Sequence, residues 1–419
     1  SILAIGAITL MSAEGLSRAY LTNWSPPHII FNIQSKEIRH GIAIARGYPT
    51  VEQKLHLKSA PAVRWQPNAK FSTPIQTHPG IFSIVKYTLD SEGLNNPLGV
   101  IEENPRIVAV GDSFTFGVVP REFNWVSQLS VTLGEPVANL GVSGSGPQAQ
   151  IALFEKVAKE WDKDLVIWQF FGNDLADALL FDTWERFYNE LTWTTYQARL
   201  QKGLGWEESN AIKSVKDRFW LYAWISSLTR LSGVDVQKQQ KIEILPGQEI
   251  FYPHDQDICD RSNKPEEQIA LAFGKNGYNR SGPGVEVTGT VDESLNLIEG
   301  IFDRLEILSQ EQNFRVLILY SPWKGEVYTT NIADHLRNKY PDECMTIRPE
   351  QLGSGIQEWL SVQAADRYFD FLDLTKALRD ATEKHGVVLY YPLDPHFNTN
   401  GEKAVAEALS EFLGISGFR

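Results

Sequence analysis

Ser113 lies in the heptapeptide GDSFTFG, directly after the apolar run RIVAV (residues 106–110). A serine at the carboxyl end of a buried strand exposes its hydroxyl for attack on a carbonyl group, and the first N–H groups of a following helix would bind the resulting oxyanion. Serine is equally suited to capping such a helix. The pattern also differs from a G-x-S-x-G elbow, because Thr115 occupies the last glycine position. The heptapeptide alone therefore leaves two roles open for Ser113, nucleophile and helix cap.

A glycine-rich segment, NLGVSGSGPQ (residues 139–148), follows the second apolar run. Its glycines allow the backbone to come close to a bound group, but the lysine of a phosphate-binding loop is missing and the spacing does not fit a dinucleotide site. A tight turn between a strand and a helix is the structural alternative. The segment therefore predicts either a turn whose backbone binds a ligand or a plain connection.

Asn173 follows a third apolar run in the tetrapeptide FGND, and Asp394 and His396 lie two residues apart in YYPLDPHFNTNG. The asparagine side chain suits an oxyanion donor or the cap of the next helix. A carboxylate beside a histidine fixes the tautomer of the imidazole, whose other ring nitrogen then takes a proton from Ser113. Each signal is weak alone. Together they supply a nucleophile, a base, an orienting carboxylate and hydrogen-bond donors.

Short apolar runs separated by helical segments must position these blocks. The runs show no alternation, which is typical of strands buried on both faces of a sheet. Helical spacing is present between them, for example in residues 147–161 and 292–312. The order predicts a doubly wound α/β fold, a mainly parallel five-stranded sheet of flavodoxin-like type flanked by helices, with the chemistry at the carboxyl ends of the strands. The predicted strands are 106–110, 136–140, 164–171, 314–320 and 368–374.

The remaining segments predict additions to this α/β core. Residues 1–22 begin with an apolar run at the edge of the sequence, which favours a truncated signal peptide or transmembrane anchor over a buried helix. Residues 23–105 are expected to form an N-terminal extension of strands and loops. The main domain, residues 106–419, carries an insertion at 175–313 that is too long for one crossover. Its aromatic helical segments predict a lid over the site or the core of a helical subdomain.

Composition excludes several classes of partner. The formal net charge of −13 and the pI near 5.2 argue against nucleic acid, because its binders concentrate lysine and arginine. Cys259 and Cys344 are too few for a disulfide framework or a cysteine-based zinc site, and one disulfide between them stays open. The segment HDQDICD (residues 254–260) lacks the spacing of a calcium loop and is expected to be solvated. We therefore predict no metal and no cofactor.

In combination, the four blocks resemble the SGNH (GDSL-type) hydrolase superfamily. The family's blocks appear in order as GDSFTFG, NLGVSGSG, FGND and DPHFN across the predicted main domain. The resemblance implies Ser113 as nucleophile, His396 as general base and Asp394 as the group that orients the base. It also implies an oxyanion hole made by the N–H of Ser113, the N–H of Gly144 and the side chain of Asn173.

Two features of the resemblance are particular to this chain. Gly141 is a second candidate for the backbone donor of its block. Many family members have D-x-x-H where this chain has D-x-H, a spacing found in relatives that acetylate alginate. The segment YTLDSEGLNNP (residues 87–97) and the apolar N-terminus are similar to an exported or membrane-anchored bacterial branch that includes alginate O-acetyltransferase-like proteins. This similarity implies a periplasmic or extracellular location, with an N-terminal membrane anchor.

Three functions follow from these residues. The leading hypothesis is a serine esterase that hydrolyses O-acyl esters, above all O-acetyl groups on a carbohydrate. An O-acetyltransferase that moves an acetyl group to a polysaccharide hydroxyl would use the same site, since the difference lies in whether water or a sugar hydroxyl accepts the acyl group. A non-catalytic glycan-binding or assembly protein on the same scaffold is the third hypothesis. The expected partner is a small acyl ester or an acetylated glycan.

Overall fold

The apolar runs of the sequence form the strands of one parallel sheet. The computed structural model describes residues 2–24, 36–46, 58–59, 64–78, 81–187, 189–192, 196, 220–222, 224–225, 291–327, 356–385, 388–391 and 394–415. The chain divides into two compact units. One is built from residues 1–56, 71–86 and 198–261, and the other, which contains the sheet, from residues 57–70, 87–197 and 262–419.

Two small two-stranded sheets precede the main sheet along the chain. β1 (Lys58–Ser59) pairs antiparallel with β2 (Arg64–Trp65). β3 (Lys70–His78) pairs with β4 (Ile81–Thr88). The alternating stretch GIFSIVKYTLDSEG therefore contains a strand, as its sequence pattern predicts.

The N-terminal extension also contains a helix, where strands and loops are predicted for residues 23–105. α1 (Ile2–Asn23) is followed by α2 (Lys36–Ala45). Ile38 and Ile42 lie one turn apart on one face of α2 and pack against α1. A ten-residue helix is marginal by itself and is stabilised by such packing, which the local sequence does not reveal. No helix among the described residues is both long enough and apolar enough to cross a membrane.

The main sheet confirms the predicted fold class, because all of its five strands are parallel. They are β5 (Ile107–Val110), β6 (Val137–Asn139), β7 (Leu165–Phe170), β8 (Arg315–Tyr320) and β9 (Asp370–Asp373). Their order is β6-β5-β7-β8-β9, so the topological switch point of the sheet lies between β5 and β7. In doubly wound sheets, ligands bind beyond the carboxyl ends of the strands at this point.

Helices cover both faces of the main sheet. The helices described in this unit are α3 (Ser113–Phe116), α4 (Trp125–Leu133), α5 (Pro147–Ala158), α6 (Asp174–Phe187), α7 (Val291–Gln312), α8 (Lys324–Val327), α9 (Ile356–Asp366), α10 (Thr375–His385) and α11 (Thr399–Ile415). On one face, alternate strand residues such as Ile167 pack with residues of α4, α10 and α11. On the other face, the rings of Trp168 and Phe302 lie 5.3 Å apart and join β7 to α7. Burial of each such side chain contributes about 1.5–3 kcal/mol.

The two ends of the predicted insertion, residues 175–313, belong to the layer of helices on the sheet. α6 and α7 contact each other, and each also contacts α5. Most of the sequence between these two helices lies outside the described residues. The segment 254–260 and both cysteines, Cys259 and Cys344, also lie outside them.

Gly141 lies where the loop after β6 comes closest to α3. A Cβ atom added at Gly141 would be 2.3 Å from the backbone nitrogen of Phe116 and 2.6 Å from the carbonyl carbon of Thr115. These are backbone atoms of a buried helix and do not move aside at low cost. A residue without a side chain is therefore required here, for packing.

Replacing Gly141 by alanine should consequently lower the free energy of unfolding by about 1–3 kcal/mol, the usual cost of overpacking. Gly300 is the matched control, because an added Cβ there meets no atom within 4 Å. Gly300→Ala in the exposed part of α7 should raise stability by about 0.5–1 kcal/mol. Thermal unfolding of the two variants measures both effects. Equal melting temperatures for Gly141→Ala and the wild type would contradict this packing argument.

Candidate active site

α3 begins at Ser113, but the cap of this helix is the residue before it. Oδ1 of Asp112 accepts the backbone N–H of Phe114 at 2.9 Å, which is the bond that an N-cap side chain makes. Ser113 is the first helical residue, and 8% of its surface is exposed. Asp112 therefore caps the helix, and the hydroxyl of Ser113 makes other contacts.

Side chains from distant parts of the sequence bind the carbonyl groups of α3. A helix of one turn leaves most of its carbonyl oxygens without partners inside the helix. Four successive carbonyls of residues 114–117 accept hydrogen bonds from side chains instead. The bonds are Trp125 Nε1 to Phe114 O (3.0 Å), Asn139 Nδ2 and Asn124 Nδ2 to Thr115 O (2.7 and 3.2 Å), Asn95 Nδ2 to Phe116 O (2.8 Å) and Tyr87 Oη to Gly117 O (3.1 Å). They hold Ser113 in place without the help of a longer helix.

The segment YTLDSEGLNNP supplies two of these donors, Tyr87 and Asn95, and folds around Asp90. Oδ1 of Asp90 accepts the N–H groups of Glu92 and Leu94, and its Oδ2 accepts Nδ2 of Asn96 at 2.9 Å. The amide of Asn96 also bonds both the N–H and the carbonyl of Asn139 in β6. This segment therefore braces the turn that carries Ser113, a role that its sequence did not indicate.

Ser113, His396 and Asp394 form one continuous chain of hydrogen bonds. Nε2 of His396 lies 2.7 Å from Oγ of Ser113, and Nδ1 lies 2.5 Å from Oδ1 of Asp394. The carboxylate accepts only, so Nδ1 carries the proton and Nε2 is left to accept the hydroxyl hydrogen of Ser113. The structure thus brings together three residues that are 283 positions apart at their extremes.

The short D-x-H spacing is sufficient because one carboxylate oxygen makes two bonds to the same histidine. Oδ1 of Asp394 accepts the backbone N–H of His396 at 3.0 Å as well as the ring N–H. This local turn fixes both the backbone and the ring of His396. Phe114 also packs against the imidazole, with ring centroids 5.0 Å apart.

Charge around the pair favours an ionised Asp394 and a basic His396. Burial raises the pKa of Asp394, but the charge and hydrogen bonds of His396 and the charge of Lys324 outweigh it, so that the pKa lies below its usual range. Burial lowers the pKa of His396, but Asp394 and then Asp112 outweigh that effect and raise it above 6.5. His396 therefore accepts a proton more readily than an ordinary histidine.

Asn173 lies beside Ser113, and both side chains contact the carboxylate of Asp112. Nδ2 of Asn173 donates to Oδ2 of Asp112 at 3.2 Å, and Oγ of Ser113 lies 3.3 Å from the same carboxylate oxygen. The second hydrogen of Nδ2 is directed at Oδ2 of Asp177, 3.1 Å away. Oδ1 of Asn173 is buried and accepts no hydrogen bond within the described part of the chain. Because Oδ1 is the atom that would cap α6, capping does not account for Asn173.

The carboxyl groups around Asn173 influence one another. Burial raises the pKa of Asp112 and outweighs the hydrogen bond from Phe114 and the positive charge of His396, which both lower it. Burial, and next the charge of Asp112, raise the pKa of Asp174 well above its usual range. Asp174 accepts the N–H of Phe171 and the side chain of Gln150, and so braces the turn before α6.

The two candidate glycines of the second block have different surroundings. The N–H of Gly141 donates to Oδ1 of Asn139 at 2.9 Å and is therefore already engaged. Gly144 lies at the exposed tip of the same loop with φ +72°, a conformation that favours glycine. The loop is bonded to the turn that carries Ser113, since the N–H of Val142 donates to the carbonyl of Gly111 at 3.1 Å. The N–H of Gly141 is thus bound within its own loop, and Gly144 stays the predicted backbone donor.

Sequence reasoning missed several residues that support the site. Asn124 and Asn139 look like ordinary turn residues, and their shared partner, the carbonyl of Thr115, is far away in sequence. Glu402 is buried and accepts the N–H of Trp125 at 2.8 Å, at the start of α4. Burial raises its pKa well above the usual range. A glutamate at the start of an amphipathic helix gave no signal of this contact, whereas Asn139, a polar residue inside an apolar run, could have been noted.

Three of the four blocks follow strands of the main sheet, and the fourth precedes the last helix. GDSFTFG follows β5, NLGVSGSG follows β6, FGND follows β7, and DPHFN directly precedes α11. The first three blocks therefore lie at the carboxyl edge of the sheet, around its topological switch point. The chain thus has the doubly wound α/β fold that its sequence predicts.

Comparisons with known proteins found similar chains among solved structures. No protein-family model matches the chain, and no curated protein matches it. Among solved structures, the chain is similar to a lipolytic protein of the G-D-S-L family from Desulfitobacterium hafniense DCB-2, at 15% identity over 73% of this chain and 97% of the other, with a TM-score of 0.31. It is also similar to the acetyl xylan esterase AlAXEase, at 14% identity over 73% and 98%, with a TM-score of 0.33. An acetylxylan esterase from Geobacillus stearothermophilus shares 11% identity over 75% and 95%, also with a TM-score of 0.33.

Replacing Asp394 by asparagine should lower the pKa of His396, because the carboxylate of Asp394 is the main group that raises it. NMR titration of the histidine ring protons measures this directly, and the spectrum of His396→Gln identifies the signal. Asp164→Asn is the control, since Asp164 pairs with Arg106 at the opposite end of β5 and β7. The geometry described for the pair would be wrong if His396 titrated at the same pH in Asp394→Asn and in the wild type.

Proposed function

We propose that this protein is a serine esterase of the SGNH type, which hydrolyses O-acyl esters and principally O-acetyl groups on a carbohydrate. The observation that carries the proposal is the continuous chain from Ser113 Oγ through His396 to Asp394, with bonds of 2.7 and 2.5 Å. A serine, a histidine and a carboxylate in this order are the arrangement that activates a hydroxyl for acyl transfer.

In the proposed reaction, Nε2 of His396 takes the hydroxyl proton while Oγ of Ser113 forms a bond to the ester carbonyl carbon. The tetrahedral intermediate then collapses, the ester C–O bond breaks, and the leaving oxygen takes the proton from His396. Water attacks the acyl-serine in the second half, passes its proton to His396, and releases the acid as Ser113 recovers its hydrogen. Asp394 stays ionised and balances the imidazolium in both halves.

The negative oxygen of each intermediate would be bound by the N–H of Ser113, the N–H of Gly144 and the amide of Asn173. The N–H of Ser113 is at the first position of α3, where the helix leaves its N–H groups unpaired. Asn173 would exchange one of its bonds to Asp112 or Asp177 for the oxyanion, since an amide nitrogen has two hydrogens. The neighbouring carboxylates thus hold the donor ready and fix its orientation.

Two observations support a small acyl group and a carbohydrate. Ser113 is largely buried, and its hydroxyl contacts Asp112 and His396, which favours a small acyl group over a long chain. The D-x-H spacing and the segment YTLDSEGLNNP resemble exported proteins that acetylate polysaccharides. On the same resemblance we propose that the protein acts outside the cytoplasm.

Ser113→Ala should abolish hydrolysis of p-nitrophenyl acetate, and Asn173→Ala should reduce kcat by about 10²–10³, the usual loss for one oxyanion donor. Asn296→Ala, at an exposed position of α7, is the matched control and should retain wild-type activity. Circular dichroism verifies that each variant is folded. Wild-type rates in folded Ser113→Ala would refute the assignment of the nucleophile.

Acetylated xylan oligosaccharides and other acetylated glycans test the substrate class. The wild type should release acetate from at least one of them, and Ser113→Ala should release none. A parallel reaction contains an unacetylated oligosaccharide as acceptor, with products identified by mass spectrometry. Acetylated acceptor without free acetate would replace the esterase with an O-acetyltransferase at the same site, because only the second acceptor differs.

A further inference from the structure

Lys324 is a buried lysine beneath the loop that carries His396. It is the first residue of α8, directly beyond the carboxyl end of β8, and 1% of its surface is exposed. Its Nζ donates to the carbonyl of Tyr391 at 3.2 Å and to the carbonyl of Asp394 at 3.5 Å. A buried ammonium group is costly unless it is paired and hydrogen-bonded, so this placement calls for a compensating partner.

The charge that favours the ionised form of Lys324 is that of the Asp394 carboxylate. The positive groups that lower the pKa of Asp394 are His396 and Lys324. Burial lowers the pKa of Lys324 to about 7, and the charge of Asp394 acts in the opposite direction. Two positive groups therefore act on Asp394, and one of them, His396, lies within hydrogen-bond distance of Ser113.

We propose that Lys324 is a positioning residue of this site: it fixes the loop of Tyr391 and Asp394 from below and, by its charge beside Asp394, sets the pH at which His396 becomes a base. The proposal rests on the proposed function for its catalytic meaning. It concerns a fourth strand end of the sheet, to which the sequence motifs assign no role. Lys324 acts through Asp394 and His396, without contact to Ser113.

The sign of the effect follows from the order of the charges. A positive group near Asp394 disfavours a second positive charge on His396, so removal of Lys324 should raise the pKa of His396. Other titratable groups that face the loop are Tyr87, Tyr391 and Glu402, all buried. Asp112 faces His396 from the nucleophile turn.

Glu326 belongs to the same short helix as Lys324 and is engaged elsewhere. Its carboxylate accepts from Tyr320, from the N–H of Trp323 and from Gln357. Arg379 of α10 donates to the backbone carbonyl of Glu326. These contacts fasten α8 to β8, α9 and α10, and leave the Nζ of Lys324 directed at the loop of Asp394.

Three substitutions separate the charge of Lys324 from its hydrogen bonds. Lys324→Arg keeps charge and donors, Lys324→Gln keeps donors without charge, and Lys324→Met removes both. Lys163→Gln is the matched control, because Lys163 is also buried and bonded to backbone carbonyls but lies before the amino end of β7. Thermal unfolding of each variant is recorded first, and Lys324→Gln keeps the test valid if Lys324→Met does not fold.

NMR titration of the His396 ring in the full chain is the closing experiment, because it reads the pKa without requiring esterase activity. Lys324→Gln and Lys324→Met should raise the titration midpoint by roughly 0.5–1 pH unit, the effect expected of one nearby charge. Lys324→Arg and Lys163→Gln should titrate like the wild type. The acid limb of p-nitrophenyl acetate hydrolysis should move with the midpoint, with kcat lowered at neutral pH and KM unchanged.

The two proposals fail in different ways. If folded Lys324→Gln and Lys324→Met titrate at the wild-type pH, or if Lys163→Gln shifts the midpoint equally, the role of Lys324 is refuted. If the wild type shows no Ser113-dependent hydrolysis while the midpoint still depends on Lys324, the proposed function is refuted and the electrostatic coupling stands.

Discussion

A helix of one turn does not satisfy its own carbonyl oxygens, and the site of this protein is organised around that constraint. The helix that begins at Ser113 is only four residues long. Its carbonyls then need donors, and these come from Tyr87, Asn95, Asn124, Trp125 and Asn139. A buried carbonyl without a partner costs about 1–3 kcal/mol, so each donor is also a tether.

The same constraint explains why distant segments meet here. Asn95 comes from the segment before β5, Asn124 precedes α4, and Asn139 ends β6. The N–H of Trp125 is bound in turn by Glu402 from α11, the helix that follows His396. The turn of Ser113 and the helix that follows His396 are therefore linked through the start of α4. This linkage keeps Ser113 and His396 close together, although they are distant in sequence.

Charged groups around His396 also organise the site. His396 lies between Asp394, which holds its ring N–H, and Ser113, whose hydrogen it accepts. The negative charge of Asp112 raises the pKa of His396, and the positive charge of Lys324 lowers the pKa of Asp394. A base whose pKa lies near or above that of ordinary histidine suits proton transfer at neutral pH. Buried charges here have named partners, which is the condition under which they are tolerated.

The sequence predicted what depends on local pattern. Continuous apolar runs such as DLVIWQFF identify strands buried on both faces, and residues at their ends are brought together by topology alone. Asp394 and His396 were recognised because a two-residue spacing makes a local turn. Lys324 was missed, since one lysine after a strand looks like a surface residue, and the asparagines were missed because their partner is distant. The cap role of Asp112 was hidden by a neighbouring serine of equal capping preference.

The central claim is that Ser113 is a nucleophile made reactive by His396. Labelling with a fluorophosphonate tests it most directly, since such a probe reacts with an activated serine whatever the natural substrate is. Peptide mapping should place one adduct on Ser113 in the wild type, with no adduct in Ser113→Ala and much slower labelling in His396→Ala. Failure of the folded wild type to react, or an adduct at another residue, would contradict the account.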